Sequence, residues 1–215
     1  MKPRVVVVDY GVGNLLSVTK ALETRGADVT VTGDPHTVLA AERLVIPGVG
    51  AFADGMAELE RRNLAGAIRE YAASDRPLLG ICLGMQLLFS ESEEFGLHQG
   101  LGVLTGRVVA IPNLVEGGRW RKTPHIGWNE LLLPPTRDTW EGTLLAGLRE
   151  GEAATYFVHS FVAEPADASV RLADCDHDGF FVSAAVQHGR ICGCQFHPEK
   201  SGAVGLAIID NFLSM

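Results

Sequence analysis

The chain has 215 residues, 47% of them hydrophobic, and its 18 basic and 26 acidic side chains leave a formal charge of −8. A length of this order builds one sizeable core but hardly two, so a single domain over residues 1–215 is expected. The acidic balance without a basic cluster excludes nucleic acid as a natural partner, and no apolar stretch approaches the roughly 18–20 residues of a membrane helix, which points to a soluble, cytoplasmic chain.

From the N-terminus, Val5–Val8 is a continuous apolar run that stops at Asp9, a core strand rather than a signal peptide. A glycine-rich turn leads into a helix with Asn14 as its cap, Leu15, Val18 and Leu22 on one face, and Gly26 as its stop. Val29–Thr32, Leu44–Ile46 and Leu78–Ile81 read as further strands, with helical patterns around Met56–Leu59 and Leu64–Tyr71. Strands alternating with helices imply right-handed crossovers and a mainly parallel central sheet flanked by helices, an α/β fold of flavodoxin-like character. Beyond Gly100 the pattern changes. Short alternating segments at Val103–Ile111, Asn129–Leu133, Thr155–Phe161, Val170–Ala173, Phe181–Gln187 and Ile191–Phe196 predict additional antiparallel strands, and Leu206, Ile209 and Leu213 space a closing helix.

Of the four cysteines, Cys82, Cys175, Cys192 and Cys194, all read as reduced thiols. Cys82 stands apart because it lies between Gly80 and Gly84, directly after an apolar strand and directly before a helical pattern containing Leu83, Leu87 and Leu88. A nucleophile on such a strand-to-helix turn sits in strained backbone, and side chains at the flanking positions would collide with neighbouring elements, hence the glycines. The helix N-terminus favours a thiolate there. Against this stands the ordinary fate of a free cysteine, a buried core thiol.

A thiolate that attacks an acyl group needs an imidazole to move the proton, and the imidazole needs a third group to fix its tautomer. His197 and Glu199, in Q-F-H-P-E-K-S, supply both: residues two apart on an extended chain point to one side, and Pro198 should keep the segment out of a helix. A zinc site from Cys192, Cys194 and His197 lacks the second half that structural zinc requires. In V-I-P-G-V-G-A-F a strand ending in glycines presents bare N–H groups, and the N–H of Leu83 would be a second donor to a developing oxyanion. The peptide plane between Gly48 and Val49 can point either its N–H or its C=O toward the substrate, so this turn is also a candidate gate.

P-G-V-G-A-F, G-I-C-L-G-M-Q and Q-F-H-P-E-K-S, in that order, resemble the class I glutamine amidotransferases over essentially the whole chain. More narrowly, V-D-Y-G-V-G-N-L, P-H-I-G-W-N and Y-F-V-H-S-F resemble the amidotransferase subunits of imidazole glycerol phosphate synthases. The resemblance implies a catalytic triad of Cys82, His197 and Glu199, and an oxyanion hole at Gly50 and Leu83. It further implies glutamine contacts from Gln86, Glu94, Ser160 and Phe161, with Glu91 and Glu93 as competitors for the role of Glu94. Phe161 stands where the family often has tyrosine, and the Cys-Gly-Cys before Gln195 has no explanation in the sequence.

The activity implied is hydrolysis of glutamine through a cysteinyl thioester. The ammonia would pass to a cyclase partner in a heterodimer serving histidine biosynthesis, with no metal or organic cofactor. His125, Trp128 and Asn129 in P-H-I-G-W-N are the expected partner contacts, since tryptophan anchors interfaces; a core role for Trp128 is the alternative. A glutaminase serving another synthase would share the reacting residues but not P-H-I-G-W-N or the D-Y-G-x-G-N-L opening. A non-catalytic binding protein of the same fold would have no need of the triad.

Overall fold

A computed structural model of the chain describes residues 2–113 and 120–215. Strand β1 (Arg4–Val8) is buried on both faces: Val5 and Val7 pack into one apolar layer, and Val6 and Val8 into the opposite one. Such two-sided burial is what an interior parallel strand demands. Helix α1 (Leu15–Thr24) follows, its Ser17 N–H donating to the side chain of Asn14 and its end marked by Gly26 at φ 87°.

Next come β2 (Asp28–Thr32), α2 (Pro35–Leu39), β3 (Leu44–Gly48), α3 (Phe52–Arg61), α4 (Leu64–Ala72) and β4 (Leu78–Cys82). The short α2 is absent from the sequence-based expectation because five residues hold too little periodicity; its signal is local, with Pro35 opening it and Asp34 accepting from the Thr37 N–H. Helix α5 (Leu83–Leu87) is brief, and the chain turns at once into β5 (Phe89–Ser92) and β6 (His98–Gln99), also unanticipated. Then come β7 (Leu104–Ala110), β8 (His125–Glu130), β9 (Ala154–His159), β10 (Phe161–Pro165), β11 (Arg171–His177), β12 (Phe180–His188), β13 (Ile191–Cys194) and α6 (Gly202–Ser214).

Three expected strands are corrected, one being Ile191–Phe196, expected as an added antiparallel strand, whose β13 instead pairs parallel with β4 and is antiparallel only to β12. The segment predicted at Asn129–Leu133 lies upstream in β8, because after Glu130 the backbone changes partner: the Leu131 N–H goes to Ala153 O and Leu132 bridges Asp174. The segment predicted at Thr155–Phe161 divides at Ser160, where β9, paired with β8, gives way to β10, paired with β7.

Among the described residues the principal sheet runs β11-β12-β13-β4-β3-β1-β2. Strands β13, β4, β3, β1 and β2 are mutually parallel, and β12 and β11 extend the sheet antiparallel. Residues of α1 and α6 cover one face with Val18, Leu22, Ile208 and Phe212; α2, α3 and α4 cover the other with Val38, Leu59, Leu64 and Ile68. A smaller sheet, β10-β7-β5-β6, and the β8-β9 ribbon stand beside it. The fold is therefore the expected mixed α/β arrangement. Among the described residues no helix is long and apolar enough to cross a membrane.

Register decides where the chemistry sits. Gly48 at the end of β3 pairs with Cys82 at the end of β4, and Cys194 of β13 pairs with Ile81. The three strand ends that carry the conspicuous motifs thus meet at the carboxyl edge of the sheet, where open α/β folds form their clefts.

Candidate active site

Cys82 ends β4 and caps α5 with φ 53° and ψ −112°, a backbone that a residue with a side chain adopts only under constraint. Glycine makes the constraint possible. A Cβ on Gly80 would lie 2.7 Å from Gly84 O, and one on Gly84 would overlap the Ile46 carbonyl of β3. The elbow is packed backbone to backbone against the neighbouring strand, and its sulfur emerges at the floor of a cleft of about 380 Å³.

His197 follows β13 with Nδ1 2.8 Å from Oε1 of Glu199, both side chains being almost wholly buried. The expected geometry needs correction: His197 is extended, but Pro198–Lys200 curl into a single 3₁₀ turn with proline at its first position. Proline is at home there because its fixed φ suits a first turn and its missing N–H is not needed. The Ser201 hydroxyl donates to His197 O at 2.6 Å and the His197 N–H to Tyr156 O at 3.0 Å, which fixes the ring's backbone.

His197 Nε2 and Glu199 Oε2 are buried without hydrogen-bond partners. Burial pulls the imidazole down, but Cys82 and Glu199 outweigh it and raise His197 from 6.5 to about 9. The ring lies in the cleft with Cys82, and Glu199 holds it from behind.

Gly50, Leu83, Gln86, Glu94, Ser160 and Phe161 line the same cleft as Cys82 and His197. Gly50 has φ 105° with open space where a Cβ would stand, so backbone conformation rather than packing calls for glycine. Tyr10 donates to Pro47 O at 2.7 Å and steadies the strand end before this turn. Glu94 accepts from the Phe52 N–H at 2.6 Å and so caps α3, whose own cap residue, Ala51, offers no side-chain oxygen. Its competitors face elsewhere: Glu93 pairs with Arg107, and Glu91 lines a separate depression.

Of the residues expected at an interface, Trp128 is 57% exposed, Asn129 is half-buried and His125 is buried. The His125 ring stacks on Phe157 and His177, with Nδ1 2.9 Å from His159 Nε2 and Nε2 3.0 Å from Asn129 Oδ1. His159, which lines the cleft, is pushed down to about 3 by burial, with Nδ1 2.9 Å from Phe161 O. Cys192 and Cys194 lie in the core of β13; burial pushes the Cys192 thiol up to about 12, and among the described residues no His, Cys, Asp and Glu side chains are grouped around a metal position.

Sequence reasoning passed over Gln195 and His159. Both were within motifs already singled out, Q-F-H-P-E and V-H-S, but nothing in one dimension shows what an amide or a second imidazole touches. In the fold, the Gln195 amide lies 3.7 Å from Cys82 Sγ and 2.9 Å from the Gln86 amide.

Residues 6–215 match the family model described as glutamine amidotransferase class-I. The HisH 1 subunit of imidazole glycerol phosphate synthase from Legionella pneumophila (strain Lens) is 48% identical over 98% of this chain and 99% of its own length. The HisH subunit from Geobacillus kaustophilus is 47% identical over 97% and 95%. Among solved structures, that described as PurLQS from Thermotoga maritima superposes with a TM-score of 0.74 at 22% identity, covering 100% of this chain and 99% of that one. Another, described as a glutamine amidotransferase, gives 0.71 at 17% identity over 98% and 99%. At such identities these two likenesses speak to the fold alone.

Proposed function

Because the chain belongs to the class I glutamine amidotransferases and, within them, to the HisH subunits of imidazole glycerol phosphate synthase, it works as a glutaminase in histidine biosynthesis, and we propose that Cys82, His197 and Glu199 carry out the hydrolysis. The supporting observation is the arrangement at His197: one ring nitrogen tied to Glu199, the other unpartnered in the cleft with Cys82.

In this reading the Cys82 thiolate attacks the γ-carbonyl carbon of glutamine. The carbonyl oxygen, now negative, is received by the N–H groups of Leu83 and of the turn at Gly50. His197 gives its proton to the departing nitrogen, which leaves as ammonia, and the C–S bond that remains is a thioester. The neutral imidazole then takes a proton from water; the hydroxide forms the C–O bond, the C–S bond breaks, and glutamate departs with Cys82 again a thiolate beside an imidazolium.

Glu94 and the carbonyl of Gln86 face the substrate ammonium, while the backbone at Ser160 and Phe161 receives its carboxylate. The ammonia passes to a cyclase partner in a heterodimer, with Trp128 and Asn129 at the contact and His125 beneath them. The test is Cys82→Ala assayed with the partner. Synthesis from glutamine should vanish while synthesis from added ammonium salt persists, since only ammonia production uses the thiol. Retained glutaminase activity would remove Cys82 from the mechanism.

A further inference from the structure

We propose that Gln195 is a positioning residue of the hydrolysis, whose amide donates to the Cys82 sulfur on one side and sets the Gln86 carboxamide on the other. The inference rests on the glutaminase reading for its purpose but on geometry for its content. Gln195 is fully buried one residue beyond β13, its own N–H donating to Ala184 O at 2.9 Å. Its side chain lies between Cys82 Sγ at 3.7 Å and Gln86 at 2.9 Å.

Amide nitrogens and oxygens are alike in shape, so the direction of such a chain has to be argued from what each partner is able to do. The starting point is Phe161, whose backbone oxygen lies 3.0 Å from the Gln86 amide. A carbonyl only accepts, so Gln86 must turn its NH2 group there. The second hydrogen of that group then meets Gln195, which must present its oxygen. That leaves the NH2 of Gln195 against the sulfur. The chain has a single consistent orientation, anchored at one end by a backbone carbonyl that cannot be flipped.

Two consequences follow. An N–H aimed at sulfur stabilises the negative charge that the attacking atom carries, because a donor interacts most strongly with a charged acceptor. Gln86, with both hydrogens spent on Phe161 and Gln195, has only its oxygen left for the cleft. It therefore meets the substrate as an acceptor, which suits an ammonium group and repels a carboxylate. Gln195 thus acts at both ends of the glutamine: at the sulfur that attacks the side-chain carbonyl, and through Gln86 at the α-amino group.

The measurement is the rate of Cys82 alkylation by iodoacetamide at a fixed pH in the full-length chain, read by mass spectrometry with Cys82→Ala as the site control. Gln195→Met keeps the length and removes both hydrogen bonds. It should make alkylation roughly tenfold slower. With the partner present, KM for glutamine should rise as well, since the Gln86 amide is freed to rotate.

Gln195→Glu keeps an oxygen toward Gln86 but faces sulfur without the amide donor, so it should slow alkylation while raising KM less than the methionine variant does. It also serves if Gln195→Met fails to fold. A folded variant alkylated at the wild-type rate would overturn the inference, even if its activity were lower. A wild-type chain that, with its partner, hydrolyses no glutamine would defeat the glutaminase reading and leave the amide chain standing.

Discussion

At the scale of single residues the proposed reaction depends on the charge state of one imidazole. His197 is raised above its ordinary value, so the stability contributed by its charged form is fully present below about pH 6.5 and is lost as pH rises through about 9. Thermal scans should accordingly show the wild-type chain losing stability between those limits more steeply than Cys82→Ala, which removes one of the two groups that raise the ring. In Glu199→Gln the other is removed, and the alkaline limb of the kcat/KM profile should move to lower pH. That variant should keep more activity than Cys82→Ala, since it disturbs the base without removing the nucleophile; an equal loss would give Glu199 a different part. These candidates were legible in the sequence because each proposed role follows from side-chain chemistry and short spacing: a cysteine between glycines, a histidine two residues from a glutamate. Gln195 was not, although it lies in the same motif as His197. An amide is equally able to donate and accept, and its role appears only once Phe161, far away in the chain, is found at the other end of the hydrogen-bond chain.

At the scale of elements the critical joint is between β3 and the elbow. Gly84 lies so close to the Ile46 carbonyl that any side chain would force β4 and α5 away from β3. Gly84→Ala should therefore cost roughly 1–3 kcal/mol in a denaturant titration, and the activity of what remains folded should fall, because the displaced N–H of Leu83 is one of the proposed oxyanion donors. A variant as stable and as active as wild type would show that the contact relaxes freely. The long elements were readable in advance because burial on both faces writes continuous apolar runs, as in Val5–Val8, and because Asn14 and Gly26 punctuate α1. Those missed are the short ones, α2, β5 and β6, which are too brief to be periodic. The misplaced ones lie where the chain changes pairing partner, at Glu130 and Ser160, since alternation reports that a residue is in a strand but not which strand it adjoins.

At the scale of the whole molecule the question is how a glutaminase avoids releasing ammonia when nothing is there to receive it. A peptide plane next to glycine, such as that between Gly48 and Val49, has more than one orientation open to it, and one oxyanion donor contributes about 2.7–4 kcal/mol, or roughly 100- to 1000-fold in rate. The free chain should thus hydrolyse glutamine slowly and its complex with the cyclase, loaded with nucleotide substrate, much faster; equal steady-state rates would mean a preformed hole. Partner contacts shift the turn only if they favour its active orientation. Trp128, 57% exposed on β8, is the side chain proposed to transmit such a preference, and Trp128→Ala should weaken the coupling between the two activities while leaving thermal stability near wild type. The pairing of Gly48 with Cys82 has a further bearing on all of this. The proposed nucleophile thus faces, across one rung of the ladder, the strand end that leads into the proposed oxyanion turn, so the distance between those strand ends is set by the spacing of hydrogen-bonded strands, about 4.8 Å, rather than by the shape of the side chains beneath them. Drift in the core can loosen the protein, swap leucine for methionine and lower its melting point, yet the ruler that spaces the reacting groups is made of backbone. Such a site should tolerate a long history of substitution in its surroundings and fail abruptly when a strand end moves.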